Sequence, residues 1–294
     1  MVAVVAEPLR ALVSTLELAL GRMNLVDMVL GLDSWVTASD THFVMYVGCC
    51  LVFYRVLHLA SVYVFPWGAF VSTYGTLSGN EVTEWGSRVV SNANAGACVV
   101  GGLYGLGWFV DASLVGSPGA WLSAPIPTVW LSVGGLLGYL AHDIHLVVTT
   151  PNLFSWAMIL HHLLGLVSGT YAFHLDTAGA ACCAFLVTEA TTPFINARWF
   201  LAKGGMRESG LYSLNGFAIF LSWLVFRITL VVLPPFVFYR DWDAVVYANP
   251  VTIGVIITVY IIIGILNSYW FYLISKGVLK LVGLVGSSKP RKNA

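Results

Sequence analysis

The sequence predicts an all-α protein, a polytopic membrane bundle of about seven transmembrane helices. Of its 294 residues, 58% are hydrophobic and only 10% are charged, whereas a soluble domain has roughly 25% charged residues. The mean hydropathy of +0.83 agrees with this composition. The net charge is zero, so the chain lacks the basic character that binding to nucleic acid requires, and we expect no nucleic-acid partner.

Seven segments are apolar over the roughly 20 residues that a helix needs to cross the hydrocarbon core of a membrane. They lie near residues 43–65, 89–110, 128–148, 153–175, 178–201, 212–238 and 251–275. The fifth segment has the weakest pattern, because polar residues and Pro193 interrupt it. Residues 41–280 are therefore the predicted transmembrane domain.

The two ends of the chain have different compositions. Within residues 1–40, polar side chains recur at steps of three and four from Glu7 to Asn24, and leucines fill the other face. This spacing predicts an amphipathic helix that lies in the membrane interface. Residues 281–294 contain several basic side chains and are predicted to form a cytosolic tail.

Lysine and arginine predict the orientation, because cytosolic loops are enriched in both residues. With seven spans, one side holds Arg88, Arg198, Lys203, Arg207, Lys276, Lys280, Lys289, Arg291 and Lys292, and the other holds Arg10, Arg22 and Arg240. We therefore expect an integral membrane protein with a cytosolic C-terminus. Arg291 and Lys292 resemble a dibasic retrieval signal, which favours the endoplasmic reticulum or the Golgi.

Ionisable residues interrupt five of the apolar segments. Arg55, Asp143, His161, Glu189 and Arg227 each lie near the middle or in the cytosolic half of a predicted span. A charged side chain at the bilayer centre costs ~2.5–3.5 kcal/mol on insertion scales. We therefore expect these groups to pair around one partly hydrated cavity, with Arg55 or Arg227 opposite Glu189 or Asp143. A structural polar network that holds the bundle together is the alternative.

His161 and His162 are adjacent in the fourth segment. Neighbours on a helix point about 100° apart, so we expect one ring to face the cavity and the other to face an adjacent helix. The inward ring is a candidate general base or nucleophile if a carboxylate orients it. Asp143 and Glu189 are the candidates for that orienting role. These four side chains are the candidate catalytic residues.

A metal site is the competing chemistry. His142 and His145 lie three residues apart on one helix face and, with an acid and one of the paired histidines, offer ligands for a metal. The pattern loosely resembles the histidine boxes of membrane di-iron enzymes, but those use more histidines than the seven that this chain contains. We therefore expect no bound metal and no other bound cofactor.

Five sequence blocks occur in an order that is typical of a known family. They are EWGSRVVSNANA (84–95), GYLAHDIHLV (138–147), MILHHLLGL (158–166), TEATTPFINARWFL (188–201) and LNSYWFYLISKGVLK (266–280). Together they resemble the TLC-domain family, which includes ceramide synthases, translocating-chain-associated membrane proteins and smaller TLC-domain-containing proteins. The fourth block is most similar to the last group.

The resemblance implies a role in lipid chemistry. In ceramide synthases, the paired histidines are essential for transferring an acyl group from acyl-CoA to a sphingoid base, and they match His161 and His162. Glu189 takes the place of one carboxylate of a His-Asp-x-x-Asp block, whose second aspartate and histidine are absent here. Acyl-CoA is then the co-substrate, and a sphingoid base, ceramide or phospholipid is the lipid partner. Smaller members are linked instead to membrane composition or trafficking, so a non-enzymatic lipid-binding regulator is the alternative.

Four residues are candidates for substrate binding: Arg55, Arg227, Asn196 and Arg198. Arg198 lies at the cytosolic end of the fifth segment and, with Lys203 and Arg207, offers positive charge to the phosphates of coenzyme A. The alternative is that these cations only set the orientation in the membrane. A second copy of the chain, in a homodimer, is a further candidate partner.

Overall fold

The computed structural model describes residues 25–63, 71–112, 114–124 and 126–281, and these residues form helices and connections without a strand. The helices of nine or more residues in these ranges are α1 (Leu25–Val36), α2 (Asp40–Tyr63), α3 (Gly79–Asp111), α4 (Val129–Thr149), α5 (Trp156–His174), α6 (Gly179–Val187), α7 (Thr192–Lys203), α8 (Gly210–Ser222), α9 (Thr229–Arg240) and α10 (Pro250–Leu281). The amphipathic pattern before residue 25 and the tail from residue 282 lie outside the described residues.

Five helical segments of the described chain are long and apolar enough to cross a membrane. They are Asp40–Tyr63, Gly79–Asp111, Val129–Thr149, Gly210–Arg240 and Pro250–Lys280. Each overlaps one of the predicted spans, although the second begins at residue 79 and not at 89. The all-α polytopic fold is confirmed. The fourth predicted span corresponds to α5, which has 19 residues, and the fifth is divided between α6 and α7. The count of seven spans stays a prediction.

Helices α2 and α4 run side by side in the same direction, and glycine allows their close approach. A Cβ atom added at Gly138 would lie 2.5 Å from Cβ of Cys50 and 2.9 Å from the backbone nitrogen of Leu51. Helix α3 runs in the opposite direction, because Ser87 near its start bonds to Asp143 near the end of α4. Small residues at such crossings let helices pack without a hydrophobic driving force in lipid.

Local capping fixes where the helices near the site begin. The side chain of Ser155 accepts a hydrogen bond from the backbone N–H of Met158 at 3.4 Å, which sets the start of α5 at Trp156, five residues before His161. At the start of α3, the backbone N–H of Ser78 donates to Oε2 of Glu81 at 2.8 Å in a capping box. These caps satisfy N–H groups that have no partner within the helix.

One end of the bundle collects basic side chains. Lys203 at the end of α7 forms an ion pair with Glu81 at the start of α3. Lys280 near the end of α10 lies in the same groove as Arg198 of α7. We call this the basic end, and it comprises the start of α3, the end of α7, the start of α8 and the end of α10. Arg240, at the end of α9, lies at the opposite end.

Candidate functional site

A cavity of about 400 Å³ lies between α4, α5, α6, α9 and α10. Apolar side chains form most of its wall, among them Leu137, Leu140, Leu186, Val237, Ile256 and Ile263. The polar groups that line it include His161, Thr188, Glu189, Arg227 and Asn267. A largely apolar cavity with a few convergent polar groups is typical of a small-molecule site.

The cavity is elongated along α5. Both His161 and Tyr171 line it, and a separation of ten residues on a helix corresponds to about 15 Å. At the far end from His161, the hydroxyl of Tyr171 lies 3.3 Å from the hydroxyl of Thr252. Trp121 and Phe238 also line the cavity, and their ring centroids are 5.1 Å apart. One end of the cavity is therefore charged and the rest is apolar or weakly polar.

Arg227 and Glu189 form the charged end. Nη2 of Arg227 lies 3.3 Å from Oε1 of Glu189, and its Nε donates to the hydroxyl of Thr191 at 2.9 Å. Its Nη1 donates to Oδ1 of Asn267 at 3.4 Å. Glu189 also accepts a hydrogen bond from the hydroxyl of Thr192 at 2.7 Å. Of the four pairings that the sequence left open, the structure contains this one, Arg227 with Glu189.

Helix irregularities place both of these charged side chains. Glu189 lies in a 3₁₀ turn, Thr188–Thr191, that joins α6 to α7, and Pro193 follows in the first turn of α7. Proline has no N–H to donate to the carbonyl oxygen four residues earlier, that of Glu189, so the regular α-helical bonding is interrupted here. Arg227 lies in a π-helical segment, Trp223–Ile228, between α8 and α9. Such segments are frequent at functional sites.

His162 faces α4 and is bonded on both ring nitrogens. Its Nδ1 lies 2.8 Å from the carbonyl oxygen of Met158, and its Nε2 lies 3.3 Å from Oδ2 of Asp143. Asp143 also accepts a hydrogen bond from the hydroxyl of Ser87 at 3.0 Å. Because a carbonyl oxygen can only accept, Nδ1 carries a proton. The remaining nitrogen is occupied by the carboxylate, so His162 has no free lone pair for catalysis.

His161 has the opposite surroundings. Its ring lines the cavity, and its Nδ1 is buried with no hydrogen-bond partner among the described residues. The ring of Trp270 meets it edge-on, with centroids 5.7 Å apart. The predicted division, one ring toward the cavity and one toward a neighbouring helix, matches this geometry. The expected link between the inward ring and a carboxylate does not, because Asp143 bonds to His162 instead.

Arg55 is not part of the cavity. Its side chain is exposed on α2, and it is absent from the cavity wall. The expectation that all five ionisable groups converge on one cavity is therefore wrong for Arg55, and also for Asp143, which is buried against His162 and does not line the cavity. The position of a residue along a span predicts its depth, but not the direction in which its side chain points.

Asn196 belongs to a separate polar cluster between α3 and α7. Its side-chain N–H donates to Oδ1 of Asn92 at 2.8 Å, and its Oδ1 accepts from Nη1 of Arg88 at 3.1 Å. Arg88 is also paired with Glu84, with Nη2 2.6 Å from Oε1. Each of these polar groups is satisfied by another protein group, so the cluster ties α3 to α7.

Arg198 lies in a different groove, at the basic end. Its guanidinium carbon lies 4.1 Å from the ring centroid of Tyr212. Of the four predicted substrate-binding residues, only Arg227 lines the cavity.

Three further residues position Arg227, and two of them had no distinguishing sequence signal. These residues are Thr191, Trp223 and Asn267. The ring centroid of Trp223 lies 4.6 Å from the guanidinium carbon of Arg227. The indole N–H of Trp223 donates to the carbonyl oxygen of Asn267 at 3.2 Å. Thr191 and Asn267 lie 36 and 40 residues from Arg227 in the chain. A signal was present only for Asn267, which is a polar residue within an apolar run.

His142 and His145, the pair considered for a metal, lie apart from this cavity. His142 packs against His58 of α2, with ring centroids 5.4 Å apart, whereas His145 is exposed. In the described part of the chain, no group of three or more histidine, cysteine or carboxylate side chains is placed to hold a metal ion.

Comparison with known proteins agrees with this architecture. The TLC domain family model matches residues 84–276, which include the paired histidines, Glu189 and Arg227. TLC domain-containing protein 4 of Xenopus tropicalis is 30% identical over 238 residues, which cover 76% of this chain and 86% of that protein. TLC domain-containing protein 4-B of Danio rerio is 31% identical over 234 residues, covering 76% and 83%. The human TLC domain-containing protein 4 is 25% identical over 255 residues, covering 83% and 90%. This chain belongs to the TLC-domain family, a family of membrane proteins in lipid-related processes.

Proposed function

We propose that the cavity binds a membrane lipid and that the protein transfers an acyl group to an amine in the manner of a ceramide synthase. The observation that carries this proposal is the combination of an unpartnered ring nitrogen, on His161, with an apolar cavity about 15 Å long. An acyl chain fits the apolar part. The polar head group then lies beside His161, Glu189 and Arg227.

The acyl donor in this proposal is acyl-CoA and the acceptor is a sphingoid base. The neutral amine attacks the thioester carbonyl, so that a C–N bond forms and the C–S bond breaks. His161 takes the proton from the attacking nitrogen and passes it to the departing thiolate. No proton, electron or further reactant is left over. Arg227 stabilises the negative charge that develops on the carbonyl oxygen, as positively charged groups do in other acyl transfers.

In this mechanism His162 and Asp143 are positioning residues. Their contact fixes α5 against α4 and thereby holds the neighbouring His161 at the cavity wall. Glu189 has the same kind of role, because it fixes the guanidinium of Arg227 from one side while Asn267 fixes it from the other. A catalytic group held by such contacts loses little entropy in reaching its reactive geometry.

A non-enzymatic lipid-binding regulator is the second candidate. The observation that favours it is the satisfaction of the charged groups by one another: Glu189 is paired with Arg227, and Asp143 with His162. Such a site binds a polar head group without reacting with it. A binder would tolerate a histidine-to-asparagine change that an enzyme would not.

The test is acyl transfer by the purified protein in nanodiscs, with a panel of acyl-CoAs and sphingoid bases and product detection by mass spectrometry. We expect His161→Asn to abolish product while the protein keeps its thermal unfolding transition. His145→Asn is the matched control, because His145 is an exposed histidine on α4. We expect its activity to equal that of the wild type.

Two results would count against this proposal. One is the absence of product from a folded wild-type protein that still carries a defined lipid, which favours the regulator. The other is wild-type product formation by His161→Asn, which removes His161 from the mechanism.

A further inference from the structure

A second groove, of about 490 Å³, lies at the basic end between α7, α8 and α10. Its walls are mostly apolar, and they include Ile219 of α8 and Leu273, Ile274 and Val278 of α10. Its two ionisable lining residues are both cationic, Arg198 and Lys280. None of the residues in this wall also lines the cavity that contains His161.

Two contacts hold Arg198 at this groove. Its guanidinium lies over the ring of Tyr212, with the guanidinium carbon 4.1 Å from the ring centroid. Gly216, one turn further along α8, leaves the space that Nη1 occupies, because an added Cβ atom would lie only 3.0 Å from it. A cation over an aromatic ring keeps its N–H groups available to another partner. The guanidinium is thus oriented in advance for an anion.

The positive charge of this groove is not neutralised from within the described chain. Lys203 is paired with Glu81, and Arg227 with Glu189, whereas Arg198 and Lys280 form no ion pair with a described carboxylate. Arg198 lies five residues before the end of α7, or about 7.5 Å along the helix. Lys280 lies at the end of the spanning part of α10. Both cations are therefore near the membrane surface, above an apolar wall.

We propose that this groove binds one anionic phospholipid, with its phosphate between Arg198 and Lys280 and its acyl chains along the apolar side chains of α8 and α10. Basic pockets between transmembrane helices are sites for anionic head groups. Arginine suits a phosphate because its planar N–H groups match two of the phosphate oxygens. The site is separate from the cavity, and the proposal does not rest on acyl transfer.

The test is native mass spectrometry of the full-length protein in detergent, titrated with phosphatidylserine or with phosphatidylcholine. We expect the wild type to retain phosphatidylserine in preference to phosphatidylcholine. Arg198→Gln and Lys280→Gln should each lower the retention of phosphatidylserine about fivefold, which corresponds to the attraction of one basic residue for an anionic surface. Retention of phosphatidylcholine should not change.

Lys276→Gln is the matched control. Lys276 is an exposed lysine on α10, one turn before Lys280, and it does not line the groove. We expect this variant to retain phosphatidylserine like the wild type. Lys280 is also exposed, so Lys280→Gln tests the proposal even if Arg198→Gln does not fold.

Three outcomes would overturn the proposal. Equal retention of the two lipids by the wild type would remove the preference for an anion. An equal effect of Lys276→Gln and Lys280→Gln would show a diffuse attraction to the basic end. Displacement of phosphatidylserine by free coenzyme A would assign the groove to a soluble phosphate ligand.

Discussion

Nε2 of His162 lies 3.3 Å from Oδ2 of Asp143, while the ring of the preceding His161 lines the cavity. Two identical side chains thus have opposite surroundings, because neighbours on a helix point about 100° apart. Only 3% of the His162 side chain and 7% of the Asp143 side chain are exposed, so the contact is part of the packed interior. One histidine is fixed by the fold, and the other is free to meet a ligand.

Removing Asp143 should destabilise the protein strongly. In Asp143→Ala, the buried ring of His162 loses its partner, and breaking such a pair costs roughly 3–5 kcal/mol. The double variant Asp143→Ala/His162→Ala should lose at least ~1 kcal/mol less stability than the sum of the two single losses. The reason is that the second change removes a ring whose Nε2 has already lost its partner. Unfolding free energies in a detergent titration measure this coupling. Additive losses would show that the two side chains do not stabilise each other.

Arg227→Lys should not preserve the charged end of the cavity. Arg227 reaches Thr191, Glu189 and Asn267 with three different nitrogens, whereas a lysine ammonium is a single compact donor. We expect a loss of about 1.5–3 kcal/mol, the contribution of one hydrogen bond to a charged group. Thermal unfolding in detergent measures it, with exposed Arg207→Lys as the control. Equal stability of both variants would mean that charge alone suffices at position 227.

Two glycine-to-alanine changes should differ in their effect on the free energy of unfolding: Gly138→Ala should lower it, and Gly48→Ala should not. At Gly138, the added Cβ atom would lie 2.5 Å from Cβ of Cys50, and forcing α2 and α4 apart should cost roughly 1–3 kcal/mol. At Gly48, nothing lies within 4 Å of an added Cβ atom. Gly48→Ala should therefore be neutral or stabilising, by up to about 1 kcal/mol, since alanine favours the helix. Unfolding measurements on the two variants would contradict this packing if both changes had the same effect.

The all-α fold and three of the polar residues of the cavity, His161, Glu189 and Arg227, were predictable from the sequence. Long apolar runs predict membrane-spanning helices whatever their neighbours are, which is why α2, α3, α4 and α10 lie where expected. Asp143 and Glu189 could also be selected as candidate site residues, because an ionised group within an apolar run needs a partner.

The pairing of these groups was not predictable in full. The side chain of Arg55 points away from the bundle interior, and only the packing of α2 against α4 determines this. The π-helical segment around Arg227 also follows from tertiary contacts, since WLVFRI contains neither proline nor glycine. Rotation about a helix axis and local changes of helix type decide which side chains meet, and apolar runs of sequence contain little information on either.

The pH dependence of stability should include a contribution from Asp241, at the end of the bundle opposite the basic end. Its carboxylate accepts hydrogen bonds from Nε and Nη2 of Arg240 at 2.7 and 2.8 Å and from the backbone N–H of Gly119 at 3.2 Å. The bond from Arg240, more than any other contact, lowers the pKa of Asp241 below its ordinary value. The resulting stabilisation is present above the ordinary pKa of aspartate and is lost as the pH falls through the lowered pKa of the folded state.

Asp241→Asn should therefore be less stable than the wild type at neutral pH, and the difference should shrink on acidification. Thermal unfolding between about pH 7 and about pH 3 measures it. Asp243→Asn changes an exposed carboxylate two residues away and should leave the pH profile as it is. A difference that stays constant, or grows, as the pH falls would contradict the ion pair.

The measurement that tests the central claim most directly is the lipid content of a variant whose cavity is filled. Ala181 lines the cavity, so Ala181→Phe places an aromatic ring in the space assigned to an acyl chain. Val167 of α5 is 64% exposed and does not line the cavity, so Val167→Phe is the control. We expect native mass spectrometry to show the co-purified cavity lipid in the wild type and in Val167→Phe, and its loss from a folded Ala181→Phe. Retention of the same lipid by folded Ala181→Phe would contradict the assignment of this cavity as the lipid site.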